Sequence, residues 1–267
     1  MTANPATTAR RSPPAPKRVR PVPAVSRSIA ILRLLGRSPQ PLGVKAIAEA
    51  LAMVTSTCLH ILRVLVVEEL VKVDATKRYS LGVGMLSLAR SVIAGNSFPT
   101  AVQPVLDRLS RQWGVTAIGV EVGDLDHMIV LALSHSRIPF RLHVDVGSRF
   151  PSLISATGRL VAAYGGRPRS DIERRFRALR WHDPPAIEVW RKEVERARKK
   201  GYAVDRGNYI GGVVVIAVPV FNARDEMTHT LVVTGVADQL DSARCVEIAN
   251  DMRAESAGLS TLLFAKA

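Results

Sequence analysis

The chain has 267 residues, 47% of them hydrophobic and 22% charged, with a formal net charge of +14. That length allows one large domain or two modest ones. The composition is that of a soluble protein, with no apolar run long enough to span a bilayer. The two cysteines, Cys58 and Cys245, form no Cys-x-x-Cys pair, which argues against a disulfide framework and for a reducing cytoplasm. Excess basic charge favours polyanionic partners, nucleic acid before membrane surfaces. The first 82 residues carry +9 and the other 185 carry +5. Charge alone fits an ordinary basic surface equally well.

Residues 1–23 contain six prolines, five basic residues and almost no large apolar side chains. No apolar leader core is present, and so little buriable surface predicts a disordered basic tail. The tail can add non-specific phosphate contacts or serve only as a solubilising extension. From Val25 the pattern is helical: Val25, Ile29, Leu32 and Leu35 share one helix face, and Gly36, Pro39 and Pro41 end it. A second helix is expected over about Leu42–Leu51, and a third from Thr55, read as its N-cap. The third helix has Cys58, Ile61, Leu62 and Leu65 inward and Ser56, Thr57, His60 and Arg63 outward. Two alternating segments, Leu70–Val73 and Arg78–Leu81, flank the turn Asp74–Lys77 and predict a β-hairpin. Three helices and a hairpin in about sixty residues make a winged helix-turn-helix. A plain three-helix bundle needs neither the hairpin nor a polar outer face on its third helix. The first domain is therefore 24–82, followed by a linker helix in 83–97 carrying Met85, Leu88, Ala89 and Val92.

The second domain, 98–267, starts with a helix over Gln103–Trp113. Strands follow at Thr116–Val122 and Met128–Leu133, and an alternating one at Phe140–Val146. Helices are expected at Ser155–Tyr164, Asp171–Leu179 and Ile187–Lys200, strands at Gly212–Phe221 and His229–Val236, and a closing helix over Asp241–Leu263. This order argues for an α+β domain with an antiparallel sheet.

Several blocks in this order resemble the IclR family of bacterial regulators: Val25-Ser-Arg-Ser-Ile-Ala-Ile-Leu32, Ser56-Thr-Cys-Leu-His-Ile-Leu62 and Tyr79-Ser-Leu-Gly82 in the first domain, then Val146-Gly-Ser-Arg-Phe-Pro151, Ser155-Ala-Thr-Gly-Arg159, Gly201-Tyr-Ala-Val-Asp205 and Ile216-Ala-Val-Pro219 in the second. The resemblance runs from Val25 onward. Two departures stand out: His60 replaces a common Arg of the recognition helix, and Glu69 replaces a favoured Gly before the wing. The resemblance implies a winged-helix DNA domain, a linker helix used in dimerisation, and a GAF-like effector domain for small metabolites, often organic or aromatic acids. It also implies a homodimer or tetramer.

On the recognition helix, hydroxyls and first-turn amides at Ser56 and Thr57 suit phosphates, while His60 and Arg63 lie a turn apart, and Arg pairs bidentately with guanine. Lys77 and Arg78 on the wing suit a backbone or minor-groove contact. Each can equally be ordinary solvated surface. In the second domain, Ser155-Ala-Thr-Gly opens a helix whose free amides suit an anion. The resemblance places Ala156 and Thr157 at this wall of an effector pocket and Asp205, Val215, Val232 and Thr234 opposite. Plain helix capping is the alternative for Ser155 and Thr157. His127, His135 and His143, eight residues apart, lack partners at metal-ligand spacing. No nucleophile-elbow, Walker or zincin motif occurs, so no enzymatic activity, metal or other cofactor is expected. The expected function is a ligand-responsive, DNA-binding transcriptional regulator. The alternatives are a metabolite-binding enzyme or sensor tethered to DNA, and a non-specific nucleoid binder.

Overall fold

Helix α1 (Pro23–Arg37) opens on a proline in its first turn, where a missing amide hydrogen is harmless. Ile31 and Leu35 are its buried residues. The computed structural model describes residues 22–94, 97–123, 125–135 and 144–264, so 1–21 of the expected basic tail lie outside the described residues. The described chain divides between Gly95 and Asn96 into two units.

In the first unit, strand β1 (Leu42–Gly43) leads into α2 (Val44–Ala50), α3 (Thr55–Val67), β2 (Val71–Val73) and β3 (Arg78–Leu81). The three strands form an antiparallel sheet in the order β1-β3-β2. Leu42 therefore belongs to a strand, not to the second helix. The axes of α2 and α3 differ by 114° across a four-residue break, as a helix-turn-helix requires. The core joins Ile31, Leu35, Ile47, Ala48, Cys58, Leu62, Leu65, Val71 and Tyr79. The turn after α2 is closed by the Met53 amide donating to Ala48 (2.9 Å), with Ala52 left-handed at φ 48°. Thr55 is not the cap of α3. Val54 occupies that position, and no side chain caps the helix. Glu69, where the family favours glycine, takes φ 57°. Its carbonyl lies so close to Gly82 that a Cβ there would meet the oxygen at 2.1 Å. Helix α4 (Gly84–Ala94) follows the wing.

The second unit begins with α5 (Phe98–Trp113), which starts five residues before the expected Gln103. Pro99 stands in its first turn, and the buried Phe98 and Val102 anchor that extra turn in the core. Strands β4 (Thr116–Val122), β5 (His127–Ser134) and β6 (Arg149–Pro151) come next. Of the expected strand at Phe140–Val146, residues 140–143 lie outside the described residues and Val144–Val146 is not strand. The chain instead turns at Gly147, at φ 87°, whose amide bonds Val130, and pairing with β5 continues through β6. Helices α6 (Ser155–Tyr164), α7 (Arg169–Arg177) and α8 (Ile187–Lys200) precede β7 (Ala203–Arg206), β8 (Val213–Phe221), β9 (Met227–Val236) and α9 (Ser242–Phe264). Strand β7 was not expected, because its four residues are too few to show a period. The sheet is antiparallel throughout, in the order β6-β5-β4-β9-β8-β7.

Both sheet faces are covered. One packs Val214, Ile216, Val218, Leu231 and Val233 against α5 and α9. The other packs Ile118, Val130, Ala217 and Val232 against Ala156 and Leu160 of α6. Burial on both sides explains why β8 reads as a continuous apolar run rather than an alternation. Among the described residues, no single helix is long and apolar enough to cross a membrane.

Candidate functional site

On α3, Ser56, His60 and Arg63 are exposed and Thr57 is half-buried, opposite the buried Cys58, Leu62 and Leu65. Because no side chain caps α3, and the first amide with a helical acceptor is that of Cys58 (to Val54, 3.0 Å), the three preceding amides remain available to an anion. Lys45, exposed in the first turn of α2, adds a basic group that sequence reasoning did not single out. The wing turn is built by Asp74, whose carboxylate accepts from the Thr76 hydroxyl (2.7 Å) and from the Thr76 and Arg78 amides. These bonds, the Thr76 hydroxyl first, hold the Asp74 carboxyl below its ordinary pKa. Lys77 sits at the tip with φ 58°, and Arg78 donates to the Pro41 carbonyl at 3.4 Å.

In the second unit, a cavity of about 80 Å³ lies between α6 and the sheet. Its walls include Ile118, Val120, Met128, Val130, Phe150 and Ile154, with the hydroxyl-bearing Ser155, Thr157, Tyr209 and Thr234. Thr157, Val215, Val232 and Thr234, four of the six residues expected there, share this wall. Strand register brings the last three together, and α6, packed on that face of the sheet, adds Thr157. Val215 stands opposite Thr234, and Val232 lies two residues before Thr234 on the same face of β9.

The other two lie elsewhere. Ala156 is fully buried in the core between α6 and the sheet rather than in the cavity wall. Asp205 is opposite Val215; one carboxylate oxygen accepts from the Asn208 amide (2.9 Å), while the other lies 3.6 Å from Arg159 and, among the described residues, has no hydrogen-bond partner. A guanidinium 1% exposed needs carboxylates beside it, and Asp205 supplies one.

Arg159 is the group the sequence reading quoted without giving it a role. It donates to Glu193 (2.8 Å), to the Asn208 side-chain oxygen (2.9 Å) and to the Ser155 carbonyl (2.9 Å). A lone charge directly before the apolar run Leu160–Ala163 was the available signal. Gly158 admits the preceding loop, since a Cβ there would overlap the Leu153 carbonyl oxygen at 2.0 Å. Ser155 itself has φ 56°, a conformation that L-residues other than Asn and Asp rarely adopt.

Side-chain capping by Ser155 or Thr157, the alternative left by the sequence, is ruled out. Ile154 is the cap residue and, among the described residues, no side chain bonds the first-turn amides. Among the described residues, the Ser155 and Thr234 hydroxyls are buried without a hydrogen-bond partner, and both residues line the cavity. His127 and His135 are exposed, and His143 lies outside the described residues.

Residues 24–75 match the family model described as the IclR helix-turn-helix domain, and 91–261 match that of the bacterial transcriptional regulator IclR C-terminal domain. The chain belongs to the IclR family of bacterial transcriptional regulators. It is thus a DNA-binding regulator with a C-terminal effector-binding domain. It is 28% identical over 247 residues to the glycerol operon regulatory protein of Streptomyces griseus, covering 90% of this chain and 96% of that one. A crystal structure of an IclR transcriptional regulator from Alicyclobacillus acidocaldarius superposes with a TM-score of 0.76 at 27% identity, over 91% of this chain and 99% of the other. An IclR homologue from Microbacterium hydrocarbonoxydans, in complex with 4-hydroxybenzoate, shares the fold with a TM-score of 0.73 at 15% identity, over 89% and 98%.

Proposed function

We propose that this regulator reads its operator with Ser56, Thr57, His60 and Arg63 on α3 and with Lys77 and Arg78 on the wing, and that a small organic or aromatic acid binds at the head of α6. The observation that carries the effector reading is the pair of buried, unpartnered hydroxyls, Ser155 and Thr234, on an otherwise apolar cavity. A buried hydroxyl without a partner costs about 1–3 kcal/mol, a penalty that a ligand oxygen removes. Among the described residues no charged side chain lines the cavity. What these residues offer the ligand's acid group is hydroxyls and the amides at the start of α6. Its body fits the apolar wall of Val120, Met128, Val130 and Val232. A volume of about 80 Å³ is well under the roughly 150 Å³ that takes up benzene. An aromatic acid has to move the walls, so it binds an open and a closed form unequally and can shift a DNA-binding equilibrium. Asp205 acts on the ligand indirectly, through Arg159.

The protein works in the cytoplasm as a regulator rather than an enzyme, as a dimer or tetramer. The domains run 24–82 and 98–267, with a linker helix in 83–97. Val83 and Leu86 are 73% and 71% exposed, and Leu88 57%, an apolar surface at the linker that a second copy can cover. Calorimetry with 4-hydroxybenzoate and a panel of aliphatic and aromatic acids, beside gel shifts with each acid, tests the reading. Saturable binding of one acid that also changes operator affinity is expected. If no acid binds, the effector assignment is withdrawn.

A further inference from the structure

A second cavity, of about 250 Å³, lies between α8, β7 and the start of α9. It is lined by Arg159, Arg196, Lys200 and Arg206, with Glu193 the one acidic side chain among the described residues of its wall. Glu193 is already committed to Arg159. Among the described residues, Arg196, Lys200 and Arg206 have no ion-pair partner. Arg206 is nevertheless held in place, donating to the Leu240 carbonyl (3.0 Å) and the Cys245 sulfur (3.2 Å). Neither acceptor neutralises it. Burial pushes the Cys245 thiol up, against the pull of Arg206, so it stays uncharged at neutral pH. Lys200 lies over the Tyr202 ring, 5.7 Å from its centre.

Ordinary helix chemistry accounts for part of this charge. Lys200 in the last turn of α8 complements the helix dipole. Arg196, one turn earlier, and Arg206, on a strand, gain nothing from it. Arg196 and Lys200, spaced i,i+4, repel one another along the helix. Three like charges held around a cavity without counter-charge are what a bound polyanion would stabilise. Asp241, just before α9, is turned to capping that helix, accepting from the Arg244 amide at 2.8 Å.

We propose that this cleft is a second ligand site, for a compact oxyanion of charge −2 or more, gripped by Arg196, Lys200 and Arg206. The ligand is a phosphate ester or a polycarboxylate, in contrast to the apolar acid expected at the head of α6. The two cavities share one residue's reach. Arg159 and Glu193 form the inner wall of this cleft, and the same guanidinium bonds the carbonyl of Ser155 in the wall of the other cavity. An anion that draws on Arg159 changes the backbone at Ser155, and by linkage each ligand alters the other's affinity by the same factor. The site itself does not depend on the effector reading.

Pyrophosphate and citrate are the probes, titrated calorimetrically into the full-length protein at constant ionic strength. One saturable site is expected, and the ratio of the two affinities tells a phosphate-type ligand from a polycarboxylate. The double variant Arg196→Gln, Lys200→Gln changes two exposed residues, and should lower the affinity of the better probe by at least about tenfold with operator binding unchanged. Arg206→Gln serves as an independent third substitution with the same expected loss. Equal binding by the double variant and the wild type overturns the proposal by placing the anion elsewhere, such as on the basic N-terminal unit. Absence of saturable binding of either probe overturns it too.

Discussion

The guanidinium of Arg159, 1% exposed, donates to the main-chain carbonyl of Ser155 at 2.9 Å and so ties the buried charge to the one left-handed residue of the cavity wall. A serine at φ 56° is strained by roughly 1 kcal/mol or more, and its hydroxyl is buried unpaired. Ser155→Gly relieves both. Urea denaturation is expected to give a gain of about 1 kcal/mol, with weakened acid binding in calorimetry. A less stable glycine variant would mean that the native hydroxyl has a partner in the protein.

Besides Lys77 at the wing tip, the DNA-binding unit carries the same kind of strain at two further turns. Ala52 ends α2 at φ 48° and Glu69 precedes the wing at φ 57°. Ala52→Gly and Glu69→Gly should each stabilise the unit by about 0.5–1 kcal/mol, additively, since they lie in separate turns. Thermal melts of the single and double variants check this. A loss at either position contradicts the turn geometry.

These turns also mark how far the sequence could be read. Periodicity located α1, α3, α6 and α8, because each has one apolar face or a clear stop such as Gly201, left-handed at φ 72°. The strained positions were invisible, since Ala52 and Ser155 carry no turn signal and only tertiary packing forces their φ. Thr157, Val215, Val232 and Thr234 were placed together by resemblance, and the physical reason is strand register for the last three and the packing of α6 on that sheet face for Thr157. The ion pair of Asp205 with Arg159 was not legible, because the two lie 46 positions apart and no local pattern links them. The charged cleft escaped notice for the same reason, its basic groups being spread over α6, α8 and β7.

His229, 8% exposed on β9, stacks on Phe98 at 4.0 Å between ring centres and stands opposite Glu121 of β4. Burial lowers its pKa from 6.5 to about 4. Between these values the unfolded chain binds a proton that the folded one refuses, so stability is full above pH 6.5 and falls as pH drops toward 4. The loss approaches about 3 kcal/mol at the lower limit. His229→Phe should flatten this segment of the stability profile, measured by urea denaturation at pH 7.5 and pH 5. An unchanged slope would assign the acid sensitivity to other groups.

Arg63 is exposed on the outer face of α3, one turn beyond His60. If it reads a base, Arg63→Ala weakens operator binding by about 1–3 kcal/mol and narrows the gap between operator and random DNA. Gel-shift competition with both duplexes measures that gap. An unaltered ratio removes Arg63 from base recognition and leaves it at most a phosphate contact.

Thr234 offers the cleanest separation of ligand binding from folding, because Thr234→Val keeps the side chain's shape while deleting a buried hydroxyl that has no partner. The variant should be at least as stable as the wild type and bind the acid about tenfold less tightly. The decisive measurement is operator affinity by fluorescence anisotropy during titration of the acid identified by calorimetry, in the wild type and in Thr234→Val. Operator affinity should change by about 5- to 150-fold in the wild type, with the midpoint displaced to about tenfold higher acid in the variant. An operator affinity that stays constant while the acid fills its site, or identical midpoints in the two proteins, would contradict control of DNA binding from this cavity.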